Sequence, residues 1–181
     1  MNITVSTITA DQVLAHRNEI SAVHAAAFGT GGEDAGRYER ESLPEMTCVP
    51  GFVAAVAQRH GKIVGFACGH DASPHQPWAS RVYAVLVKDG FEAWTRDPFE
   101  FADIAILPGM QNRGIGRLLL DAIVANVPHR FCILVTFHGP HPAKRFYLCA
   151  GWITLVEDFE YFPGKPLTSI LGRELRDRLD N

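Results

Sequence analysis

Six residues, Gln111-Asn112-Arg113-Gly114-Ile115-Gly116, with Arg117 behind them, have the make-up of an anion site. Two glycines let a backbone reverse sharply and come close to a ligand. If a helix starts there, its first N–H groups have no acceptor of their own, and aligned peptide dipoles add positive potential. Arg113 and Arg117 could add charge, or could be ordinary solvated helix residues. Two familiar phosphate binders do not fit: a dinucleotide fingerprint needs glycine where Leu119 stands, and the phosphate loop of nucleotide hydrolases needs a Gly-Lys-Ser/Thr ending. An ordinary tight strand-to-helix turn stays open. Upstream stand two carboxylates that could move protons, Glu100 and Asp103, and downstream a phenol, Tyr147.

A strand, a reversal and a helix must position these groups. Phe101, Ile104, Ile106 and Leu107 form the strand, which Pro108 ends because it cannot donate to a ladder. Ile115, Leu118, Leu119, Ala122 and Ile123 repeat with the period of a helix that buries one face, and Pro128 stops it.

The Q-x-x-G-x-G pattern after a strand ending Ile106-Leu107-Pro108 resembles the signature of the GCN5-related N-acetyltransferases, the GNAT superfamily. Ala143-Lys144-Arg145-Phe146-Tyr147-Leu148-Cys149-Ala150-Gly151-Trp152 is similar to that family's A-x-x-x-Y-x-x-x-G-F segment, with Trp for Phe. The resemblance is clear over about residues 98–155. It implies an α/β (α+β) fold: a mixed, mostly antiparallel twisted sheet of six to seven strands flanked by helices, with a splayed fourth strand. It also implies acetyl-CoA as co-substrate. The pyrophosphate would lie on the backbone of Gln111, Asn112, Arg113, Gly114, Ile115 and Gly116, extending to Arg117. The pantetheine would pair with the backbone of Ile104 to Leu107, and an N–H near Ile106 or Leu107 would face the thioester oxygen. One such oxyanion donor is typically worth about 3–4 kcal/mol.

The acceptor amine must first lose a proton. With a pKa of about 10.4, roughly one lysine-like amine in two thousand is neutral at pH 7, a penalty of about 4–5 kcal/mol that a carboxylate can reduce. Glu100 stands eleven residues before Gln111, the register in which histone-acetylating relatives carry their base; Asp103 is the second candidate. Strand faces alternate, so the two should point oppositely unless a bulge intervenes. Tyr147 matches the family tyrosine that protonates the departing CoA sulfur, the alternative being a tyrosine packed beside Trp152. Many relatives place asparagine just ahead of the alanine matching Ala143. Pro142 stands there instead, which puts that pantetheine contact in doubt.

Other chemistries fit less well. His129, His138 and His141 follow no trusted ligand spacing, so no metal is expected. Cys149 as an acyl-carrying nucleophile lacks an evident base, and direct attack in a ternary complex is preferred. The reading is therefore an N-acetyltransferase acting on a primary amine of a small molecule. Peptide or protein acetylation, and a non-catalytic acyl-CoA-binding module, are the alternatives.

A chain of 181 residues with 47% hydrophobic and 20% charged residues suits one domain, 1–181. A net charge of −3 without a basic stripe argues against nucleic acid, and no apolar run reaches the roughly 18 residues of a membrane span. The start, MNITVSTITADQ, has no signal-peptide pattern. All cysteines but Cys48 sit in apolar segments and are expected to be buried free thiols, which fits a cytoplasmic enzyme. Oligomeric state stays open; dimers are common in the family, so a homodimer is one outcome.

Along the chain, residues 3–8 suggest a strand, and Thr9-Ala10-Asp11-Gln12 a capping box. The helix it opens should bury Val13, Ile20, Val23, Ala27 and Phe28 and stop at Gly29. The charged segment 33–45 is a solvated helix or, in the family, one wall of the acceptor site. Residues 52–58 and 62–69 read as a hairpin turning at His60-Gly61. Segment 71–98 reads as an insertion between the third and fourth strands, a candidate for the acceptor pocket or a subunit contact. Its run Val82–Val87 could be helix or strand, and Trp78, Tyr83 and Trp94 could stack on a ligand or simply pack. Phe131–Phe137 is a buried central strand. A short helix ends at Gly151, strands follow at 152–156 and 167–171, and the tail from Arg173 is charged and expected to fray.

Overall fold

The strand signals resolve into a seven-stranded mixed sheet flanked by helices, seen in a computed structural model that describes residues 3–161 and 164–175. The strands are β1 (Thr4–Ile8), β2 (Val53–Arg59), β3 (Lys62–Asp71), β4 (Phe99–Ile106), β5 (Phe131–Phe137), β6 (Ile153–Phe159) and β7 (Thr168–Glu174), in the order β1-β2-β3-β4-β5-β7-β6. β1–β2, β2–β3, β5–β7 and β6–β7 are antiparallel. β4 and β5 are parallel, with the pairs Phe99–Cys132 and Glu100–Ile133. So short a ladder is what the expected splay of the fourth strand requires. Met1, Asn2 and the charged tail beyond residue 175 lie outside the described residues; Arg173 and Glu174, expected to fray, belong to β7.

The chain forms two compact units. The first comprises Met1–His70 and Ala102–Val127. Its capping box is present, with Thr9 accepting from the Gln12 N–H, but the helix it opens is not continuous. α1 (Ala10–Ala15) ends at His16, whose non-helical backbone starts α2 (Arg17–Phe28); Val13, Ile20 and Val23 are buried as expected, whereas Phe28, five residues past Val23 and so off that face, is half-exposed. Gly29, left-handed at φ 65°, closes α2 as expected. The charged segment that follows is helical: α3 (Gly32–Arg37), a π-helical turn (Tyr38–Ser42) and α4 (Leu43–Thr47). In the π turn the Leu43 N–H reaches back five residues to the Tyr38 carbonyl. The wider turn brings Tyr38 and Leu43 to the same side, and both are buried. β2 and β3 meet at His60 (φ 51°) and Gly61 (φ 74°), the two positive φ angles that a tight hairpin turn needs. The core unites Val13, Ile20, Leu43, Val56 and Phe66.

The second unit comprises Asp71–Phe101 and Pro128–Asn181. The ambiguous run 82–87 is helical: Pro77 opens α5 (Pro77–Lys88), which buries Ala79, Val82 and Leu86 at i, i+3 and i+7. They join Ile133, Leu155 and Ile170 in one core. The aromatic residues of segment 71–98 take packing roles. Tyr83 donates to the Ala72 carbonyl at 2.9 Å, Trp78 packs on the core, and Trp94 lies 4.7 Å from the Phe131 ring and against Gly172. The expectation of buried thiols holds for Cys68 and Cys132 but not for Cys149, which is exposed like Cys48.

A methyl group at Gly172 would lie 2.5 Å from Trp94 Cζ3 and 2.7 Å from Leu155 Cδ1. Overpacking of this kind typically costs about 1–3 kcal/mol, so Gly172→Ala should lower the denaturant midpoint; an unchanged midpoint would show that Trp94 yields freely.

Candidate active site

β4 breaks at Leu107, Pro108–Met110 makes one 3₁₀ turn, and α6 (Ile115–Val124) begins five residues later. Two left-handed residues, Asn112 at φ 58° and Gly114 at φ 80°, make the reversal. That conformation suits glycine because it has no Cβ to clash. No side chain caps α6, and its first intrahelical bond runs from the Leu118 N–H to the Gly114 carbonyl. The N–H groups of Ile115, Gly116 and Arg117 therefore precede the ladder. A Cβ at Gly114 would meet no protein atom within 4 Å, so open space lies beside the turn. These residues fit a diphosphate. The helix buries Ile115, Leu119, Leu120 and Ile123; Leu118, expected in the buried stripe, is half-exposed and Leu120 takes its place. Arg117 pairs with Asp121 one turn along, Nε to Oδ2 at 2.8 Å, and Arg113 is exposed.

At the end of β4 the backbone is partly committed. The Leu107 N–H donates to the Val64 carbonyl of β3 at 3.0 Å, so this N–H serves the sheet rather than a ligand's oxyanion. Strand donors alternate sides, so Ile106 turns its N–H to the other edge. The Gln111 amide donates to the Ile106 carbonyl at 3.1 Å and ties the loop to the strand it left.

Asp103 is largely, though not fully, enclosed in the first unit. Tyr38 Oη donates to its Oδ2 at 2.6 Å, and His24 Nε2 stands 3.6 Å from the same oxygen. Desolvation pushes the Asp103 pKa up against the opposing pull of His24, Tyr38 and the Ile104 N–H. Desolvation also lowers that of His24, outweighing Asp103. Neither His24 nor Tyr38 stood out in the sequence. The signal was a single aromatic residue among the charges of segment 33–45.

Glu100 belongs to the second unit and is 8% exposed. Burial pushes its pKa up to about 8, so it is mostly protonated at pH 7 and becomes a base just above neutrality. α7 (Pro142–Cys149) carries Tyr147, buried and edge-on to both Phe101 and Trp152, with ring centroids 6.1 and 5.6 Å away. The helix is anchored by Lys144, whose buried ammonium binds Glu157 of β6 and, at 3.1 Å, Ser169 of β7. His141 caps α7 by accepting from the Ala143 N–H and stacks on Phe137 at 4.0 Å. His129 faces Asp71 at 3.2 Å and His138 faces Asp158 at 3.4 Å.

A model of the acetyltransferase (GNAT) family matches residues 18–152. The GCN5-like protein acetyltransferase Rv2170 of Mycobacterium tuberculosis is 27% identical over 146 residues, 76% of this chain and 69% of that protein. Among solved structures, the PaiA N-acetyltransferase of Thermoplasma acidophilum in complex with coenzyme A superposes with TM-score 0.61 at 13% identity, over 97% of this chain and 100% of the other. The ribosomal-protein-S18-alanine N-acetyltransferase of Escherichia coli gives 0.63 at 16% identity, over 96% and 94%. Likeness at such identity shows the fold.

The raised pKa of Glu100 carries a stability consequence. A carboxyl whose folded pKa lies above its unfolded value favours the fold while protonated, and that contribution is lost as pH rises from about 4.5 to about 8. Glu100→Gln should remove this loss. Against wild type, the variant should gain stability, on the order of a few kcal/mol, between pH 5 and pH 9 in denaturant titrations; parallel pH profiles would show that Glu100 is ionised without penalty.

Proposed function

Because the chain belongs to the acetyltransferase (GNAT) family, we propose that it transfers an acetyl group from acetyl-CoA to a primary amine of a small molecule by direct attack in a ternary complex. The observation that carries this reading is the uncapped start of α6 behind the left-handed Asn112 and Gly114. It is the site expected to take the diphosphate of CoA, with Gln111, Asn112, Arg113, Gly114, Ile115, Gly116 and Arg117 contributing. Bound there, acetyl-CoA would supply the activated acyl group. The edge of β4 at Ile104 and Ile106 is assigned to the pantetheine, with the Ile106 N–H as oxyanion donor; Leu107, expected to share this role, is left out because its N–H is spent on Val64.

Tyr147 is assigned the proton that leaves with the CoA sulfur. A phenol of pKa about 10 is protonated at neutral pH and matches a thiolate leaving group. Proton removal from the amine is assigned to a β4 carboxylate, Glu100 or Asp103. The Mycobacterium tuberculosis relative is called a protein acetyltransferase, which favours peptide or protein acetylation as the second reading.

Incubation with acetyl-CoA and a panel of small amines, basic peptides and protein N-termini, with release of free thiol followed, tests these readings. Turnover with any amine rejects a purely acyl-CoA-binding module, and preference for peptides selects the second reading. Tyr147→Phe should lower kcat ten-fold or more while CoA affinity by calorimetry stays nearly unchanged; wild-type kcat would remove Tyr147 from the mechanism.

A further inference from the structure

Three elements of the first unit converge on one carboxylate. β4 supplies Asp103, the π turn supplies Tyr38 and α2 supplies His24. The His24 imidazole lies flat on the Tyr38 ring, centroids 3.7 Å apart and planes 11° apart. Phe28, one turn further along α2, is 4.6 Å from it. These contacts fix the ring and direct Nε2 at Asp103. The other ring nitrogen, Nδ1, is buried with no hydrogen-bond partner, so Nε2 is the nitrogen that can exchange a proton with a neighbour. Its 3.6 Å from Oδ2 exceeds the roughly 2.7–3.2 Å of a direct hydrogen bond. At this separation no direct hydrogen bond links the two groups, and the imidazole and the carboxylate act through charge and proximity. The Asp103 side chain is 10% exposed and that of His24 18%, so the gap is sheltered without being sealed.

We propose that His24 and Asp103 together take the proton from the acceptor amine, with Tyr38 as the positioning residue that fixes the carboxylate. This rests on the acetyl-transfer reading above. An N–H bond of the ammonium breaks and its electron pair stays on the amine nitrogen. The proton bonds to Nε2 of His24 and is hydrogen-bonded by Oδ2 of Asp103. The pair's charge falls from −1 to zero, a change that a sheltered site favours because it removes a poorly solvated charge. Burial lowers the pKa of His24, which keeps the imidazole neutral before the amine arrives; desolvation works against ionised Asp103, and the hydrogen bonds from Tyr38 and the Ile104 N–H favour its carboxylate. The other titratable groups acting on this cluster are Tyr38 and, through it, Cys68 of β3. Burial holds Tyr38 as a neutral phenol, a donor to the carboxylate and not a competing base.

The test has two arms. With an amine that turns over, His24→Asn should lower kcat about a hundred-fold and erase the acidic limb of the kcat/KM profile, while CoA affinity by calorimetry is unchanged. Tyr38→Phe should displace that limb without erasing it. Wild-type kcat and pH profile in His24→Asn overturn the proposal and leave the acetyl-transfer reading standing. The second arm needs no acceptor: the His24 ring is titrated by 15N NMR in wild type and in Asp103→Asn. Loss of the facing charge should lower the His24 pKa by about one unit or more. An unmoved titration overturns the pair whether or not any amine is acetylated, and absence of turnover with a shifted titration counts against the acetyl-transfer reading alone.

Discussion

An α-helix cannot satisfy the donors of its own first turn, and nothing in the side chains before α6 does so for it. Most of what is distinctive in the first unit follows from that. The turn needs two left-handed residues, which Asn112 and Gly114 provide. It must also be held to the strand it left, and Gln111 does this through the Ile106 carbonyl. Below it, α6 must sit close to the sheet, and Gly65 permits this, since a Cβ there would lie 3.1 Å from Leu119.

Desolvation is the second organising force. It outweighs charge pairing at Asp103 and His24, and it raises the Glu100 pKa. Buried ionisable groups are expensive unless partnered, so their presence on and around β4 costs stability that the apolar cores must offset. The ion pair that anchors α7 works differently. Glu157 is mostly exposed, and the hydrogen bonds from Lys144 and Ser169 hold its carboxyl below the usual range. It secures the helix that bears Tyr147.

Much of this is legible in the sequence. The strand, turn and helix around residues 99–124, the hairpin at His60-Gly61, the Thr9 cap and the Gly29 stop each have a local cause, and local causes are written in short windows. What failed was rotational phase and continuity. Leu118 and Leu120 differ by 200° around a helix, and periodicity over ten residues could not choose between them. The break at His16 has no Pro or Gly to announce it. The run 82–87 is ambiguous because apolar residues are shared by helix and strand; Pro77, at the first helical position, is the local signal that favours helix. The meeting of His24, Tyr38 and Asp103 joins residues up to 79 positions apart, and no pattern of spacing announces such an encounter.

The π turn at Tyr38–Ser42 has a geometric meaning for how this chain can vary. An α-helix advances about 100° per residue, and the turn holds one residue more than that rhythm allows. Shortening the segment by one position would leave a helix of nearly the same length with its two ends out of phase. Leu43 could then stay in the core only by swinging Tyr38 away from Asp103. The extra residue is a spacer whose value lies in angle, so substitution within it should be tolerated far better than removal of it.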